Sequence, residues 1–174
     1  MSLRLLRTEL GPRAATWSIE TPTPGVVLID VTIEGQTASA PLHWRAGTWS
    51  KPPLDLTLDD QGRLVALQFV LQDERVAAGQ WTVFPDFDEG LPVFDIAGWP
   101  SERYRDETVP VEASRLSGGE LALRLGDPQP LGRACGVGSA LVMGFTDAST
   151  LAEIRLGPLD QDDWAAINAF SYVE

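Results

Sequence analysis

Short apolar runs at period two, cut at close intervals by glycine, proline and aspartate, restrict this chain more than any other feature. Leu54, Leu56 and Leu58 alternate with Asp55 and Thr57, which gives an extended strand one buried face. Asp59-Asp60-Gln61-Gly62 follows as a turn, because aspartate bonds its own backbone and glycine takes the left-handed conformation. The chain returns from Leu64, with Val65, Leu67 and Phe69 expected on one face. Further strands are predicted at Leu3–Arg7, Thr16–Glu20, Val26–Glu34, Thr37–His43, Arg63–Leu71 and Gln80–Phe84. The rest fall at Leu91–Ile96, Thr108–Glu112, Glu120–Leu125, Ser139–Phe145 and Leu151–Leu156. Thr21–Gly25, Lys51–Pro53 and Asp127–Pro130 are proline-rich and are expected to connect strands rather than sit inside a central one. Asp160 and Asp163 have the spacing of a capping box, and Trp164, Ile167 and Phe170 form the apolar stripe of a helix behind them. The fold class that follows is mainly β, an antiparallel sandwich or barrel, with one C-terminal α-helix.

The 174 residues make a single compact domain, 1–174. An echo runs through it. Leu54, Leu56, Leu58, Asp60, Leu64, Leu67 and Phe69 align without a gap on Leu141, Met143, Phe145, Asp147, Leu151, Ile154 and Leu156, half a chain later. Upstream, Val31-Thr32-Ile33 aligns on Leu123-Arg124-Leu125 once a five-residue shift is allowed. The alignment suggests an internal duplication into halves 1–87 and 88–174, with a site expected at their seam.

Charge narrows the partners. The formal net charge is −12, which opposes nucleic acid and anionic membrane surfaces. Residues 1–87 carry ten acids against seven bases, and residues 88–174 carry fifteen against six. The second half is therefore expected to present an acidic face to a basic protein partner. No apolar run reaches the roughly 18–20 residues of a membrane helix, and residues 1–30 hold no signal-peptide core. A cytoplasmic protein is the expectation. Twelve of the thirteen basic residues are arginine, the bias of a GC-rich bacterial genome.

Chemistry-bearing motifs are few. Cys135 is the one cysteine and His43 the one histidine, so a Cys–His enzyme depends on that single pair. Zinc is disfavoured by the same count, and no cofactor is expected, because phosphate-loop and dinucleotide fingerprints are missing. Asp86, Asp88 and Glu89, with Asp95 nearby, cluster oxygen ligands around Gly90 and are weak calcium candidates, more simply a solvated turn. Trp49, Trp99 and Tyr104 fall at loop or strand-end positions, where aromatic rings stack on small molecules or sugars, or else plug the ends of a β core. The leading expectation is a non-enzymatic binding protein of the inhibitor or immunity type, docking a basic protein. A small-molecule or carbohydrate-binding β domain is the alternative, and the Cys–His enzyme comes third.

Overall fold

The computed structural model describes residues 2–48, 53–72, 76–79 and 83–169. The first half contributes β1 Leu5–Leu10, β2 Ala15–Thr23, β3 Val26–Ile33, β4 Leu42–Gly47, β5 Leu54–Leu58, β6 Leu64–Gln72 and β7 Ala77–Ala78. The second contributes β8 Phe87–Phe94, β9 Tyr104–Thr108, β10 Val111–Arg115, β11 Leu121–Leu125, β12 Arg133–Val137, β13 Leu141–Phe145 and β14 Leu151–Leu156. Helix α1, Gln161–Asn168, closes the chain order.

Among the described residues the strands form two open sheets, and neither closes into a barrel. One has eight strands in the order β1-β8-β12-β13-β14-β11-β10-β7, the other six in the order β2-β3-β6-β5-β4-β9. The sheets are mixed rather than purely antiparallel: β4 with β9, β8 with β12 and β7 with β10 run parallel. Parallel neighbours need a crossover, and two of these pairs join strands from different halves of the chain. A single hydrophobic cluster collects the inward residues of both sheets, among them Ile29, Trp44, Leu56, Phe94, Leu141 and Phe145.

Inside the two sheets lie two five-stranded units of the same plan, β2-β3-β6-β5-β4 and β10-β11-β14-β13-β12. The likeness extends to register. Leu58 faces Leu64 and Leu56 faces Leu67 across a bulge at Thr57/Leu58. Phe145 faces Leu151 and Met143 faces Ile154 across a bulge at Gly144/Phe145. Val31 faces Leu67 as Leu123 faces Ile154, which is the five-residue shift that the two sequences require.

The same bulge corrects one detail of the hairpin. An extra residue on one strand moves the following side chains to the other face. Leu64 is therefore fully buried, while Val65 is only half-buried. Elsewhere β4 starts at Leu42 rather than Thr37, and β2 runs through Pro22, which an edge strand tolerates because its outer amides need no partner. Of the strand predicted at Gln80–Phe84, residues 80–82 lie outside the described residues, and Val83 and Phe84 are not in a strand.

The helix forms as expected. The Asp160 carboxylate accepts from the Asp162 and Asp163 amides, and Asp163 returns a bond to the Asp160 amide. Trp164 and Ile167 are buried; Phe170 lies outside the described residues. The Trp17 indole of β2 donates to Asp163 at 3.0 Å, fastening the helix to the first half. Among the described residues no helix is long and apolar enough to cross a membrane.

Candidate functional site

Alternation along β4 sends Leu42, Trp44 and Ala46 into the core and leaves His43 and Arg45 on the outer face of the six-stranded sheet. Pairing then extends two rows across that face. In one, Tyr104, His43, Thr57, Ala66, Thr32 and Thr16 are successive neighbours. In the next, Asp106, Arg45, Asp55, Gln68, Asp30 and Ser18 follow the same order.

The rows are cross-linked. Arg45 donates to both oxygens of Asp106, at 2.7 and 2.9 Å, a bidentate fork that fixes the guanidinium plane. That hydrogen bond chiefly raises the Arg45 pKa above the usual arginine value. His43 Nδ1 lies 3.0 Å from Asp55 Oδ1, and its ring stacks on Tyr104 with centroids 5.0 Å apart. The Arg45 guanidinium sits 4.7 Å from the Tyr104 centroid. Gln68 donates to Asp30 at 2.7 Å. Tyr104 remains 48% exposed in the middle of these contacts, so the cluster is rigid and open at once. With Glu20, which shares the face, four carboxylates stand against one arginine among the described residues.

The corresponding face of the other sheet is closed. By register, Ala134, Gly136 and Gly144 occupy the places of His43, Arg45 and Thr57. A Cβ on Gly136 would strike the Phe87 ring, and one on Gly144 would strike Phe84 and Leu131. The absence of side chains is thus what lets Phe84 and Phe87 lie on that sheet. One unit is paved with small residues and covered by its own chain; the other carries charged and aromatic groups, and no described residue lies over them as Phe84 and Phe87 do.

The remaining sequence candidates are scattered. Cys135 is fully buried on β12, its thiol donating to the Gly90 carbonyl at 3.3 Å. Burial pushes that thiol up to about 11. His43 belongs to the other sheet and is engaged with Asp55 and Tyr104, so the structure does not bring the Cys–His pair together. Asp88 and Glu89 lie within β8 rather than in a turn, because Phe87–Glu89 pair with β12. Among the described residues no three His, Cys, Asp or Glu side chains gather as a metal site, and Asp86 is exposed beside β8. Trp99 packs half-buried against the core, with the Arg105 guanidinium 5.6 Å from its ring. Arg105 and Tyr104 alternate across β9, so Trp99 and Tyr104 do not form one platform. Trp49 lies outside the described residues.

Arg45, Asp55 and Asp106 were not singled out from sequence. Alternation alone places Arg45 and Asp55 outward. Nothing local reveals that β9 runs beside β4. The fold and this face together define a mainly β, two-sheet protein with an open polar sheet face. No protein-family model and no curated protein matches the chain.

Proposed function

We propose that the protein is a binding protein whose open sheet face, around Arg45, His43 and Tyr104, docks a basic protein partner. The observation that carries this reading is the contrast between twin faces: one covered by Phe84 and Phe87, the other bare with Glu20, Asp30, Asp55 and Asp106 against Arg45. Steering comes from the carboxylates, which raise the encounter rate of a positive surface. Specificity comes from Tyr104 and Arg45, residue types that dominate interface energetics when held rigid. Among the described residues the acidic excess of the second half enters this face through Asp106 alone; apart from Tyr104 and Asp106 of β9, the surface is built by first-half strands.

The test is a titration of the labelled protein with a lysine- and arginine-rich peptide, followed by amide shifts. Shifts confined to β2–β6, β4 and β9, weakening as salt rises, are the expected result. Glu20→Gln with Asp30→Asn lowers the affinity several-fold, and Tyr104→Ala lowers it further. Shifts centred on Asp160–Asp163 instead, or binding indifferent to salt, overturn the reading.

A further inference from the structure

The covered face of the eight-stranded sheet holds a second feature, independent of the docking surface. A cavity of about 120 Å³ lies there, lined by Phe84, Phe87, Glu120, Ser139, Val142 and Arg155. That is room for about four waters at roughly 30 Å³ each, or one small organic molecule. Its charges are not balanced internally. Arg155 is 8% exposed and donates to Glu153 at 2.7 Å, so its charge is already met. Glu120 has no such partner: its Oε2 is buried and accepts no hydrogen bond.

The position makes the carboxylate conspicuous. Register puts Glu120 where the other unit carries Leu28, and Val142 where it carries Asp55. A leucine would fill the site without leaving an acceptor unpaired, yet an acid stands there, lining one cavity with two phenyl rings. Burying an unpaired carboxylate oxygen is costly, and a donor placed against it relieves the cost.

We propose that this cavity binds a small organic ammonium ion. Its N–H groups donate to Glu120 Oε2 and to the Ser139 hydroxyl, and its alkyl body lies against Val142. The Phe87 ring attracts the cation through its quadrupole, the Phe84 ring being already stacked by the Arg155 guanidinium at 3.9 Å. An anion is repelled by Glu120, and a hydrocarbon leaves the carboxylate unpaired. A neutral alcohol is the real competitor, because it supplies a donor without a charge.

Three isosteric probes separate these cases: n-propylammonium, 1-propanol and propionate, each titrated into the full chain with amide shifts of Ser139, Val142 and Gly157 as readout. The expected result is binding of propylammonium with a Kd on the order of 1 mM, as befits four heavy atoms, and at least tenfold weaker binding of the other two. Glu120→Gln, which keeps the shape and removes the charge, lowers propylammonium affinity at least tenfold and leaves propanol unchanged. Equal binding of alcohol and ammonium overturns the proposal, as does the absence of local shifts at tens of millimolar. Should Glu120→Gln fail to fold, the comparison of the three probes on the native protein decides alone.

Discussion

Leu5 pairs with Phe94 where β1 meets β8, and each of these residues reaches into the other half's hairpin. The Leu5 amide donates to the Ser149 carbonyl at 2.8 Å, and the Phe94 amide donates to the Gly62 carbonyl at 2.8 Å. Gly62 and Ser149 are the matching residues of two matching turns. Arg4 bridges to Thr150 as Val93 bridges to Arg63, which completes the exchange. The first strand of each half is thus docked on the second half of the other, so neither hairpin is finished without its twin. Such a reciprocal arrangement explains why the described residues bury one core and not two.

The two turns are alike enough to exchange residues, with opposite consequences. Gly62 has φ +80° and Ser149 has φ +62°. Both values favour glycine, so Ser149→Gly relieves strain and is expected to stabilise by about 0.5–1 kcal/mol. Gly62→Ser brings the same strain and drives a Cβ into the Phe94 carbonyl oxygen, so it is expected to cost more than about 2 kcal/mol. Urea unfolding of the two variants checks the pair. Equal effects in the same direction would show that the turns are not equivalent.

Asp59 and Thr146 play one role in these turns. Asp59 Oδ1 accepts from the Arg63 amide at 2.8 Å, and Thr146 Oγ1 accepts from the Thr150 amide at 3.3 Å. Much of the fold was legible because signals of this kind are local: a turn acid, a left-handed glycine, leucines at period two, a capping pair before Trp164. The open face was not, because it depends on β9 lying beside β4. That contact joins residues some sixty positions apart, and its parallel sense leaves no turn between the strands to announce it. The small residues at Ala134, Gly136 and Gly144 read as an ordinary glycine-rich stretch until Phe84 and Phe87 are placed over them.

Cys135 is expected to be inert in the native protein. Its thiol is pushed up to about 11 by burial, so at pH 8 only roughly a thousandth is thiolate, and even that fraction is out of reach of solvent. A disulfide reagent at pH 8 should label it only as fast as the protein opens, and rapidly once urea unfolds the chain. Prompt labelling without denaturant would contradict this.

Glu9 links β1 to the first turn, and its charge makes stability depend on acid. Its carboxyl is held below the usual range, first by the hydrogen bond from Arg63 and then by that from Arg7. A depressed folded pKa stabilises above the unfolded value and is lost as pH falls through the folded one. Glu9→Gln is therefore expected to lower Tm at pH 7, with the gap to the native protein closing as pH drops from about 5 towards 3. A gap that stays constant across that range would assign the effect to shape rather than charge.

Glu153 and Arg155 mark a difference between the two units that mutation can test. Their side chains are 7% and 9% exposed, and register sets them against Ala66 and Gln68 in the open unit. Glu153→Ala takes away the carboxylate that accepts from the buried guanidinium at 2.7 Å, a loss that typically costs about 3–5 kcal/mol. Replacing both residues by their counterparts, Glu153→Ala with Arg155→Gln, removes both charges of the pair together. The double variant should therefore be more stable than Glu153→Ala alone, although it deletes more native contacts, including the stacking of Arg155 on Phe84 at 3.9 Å. Thermal unfolding of the native protein, the two single variants and the double variant completes the cycle. If the double variant is the least stable of the four, the pair is held by packing beneath Phe84 rather than by mutual neutralisation.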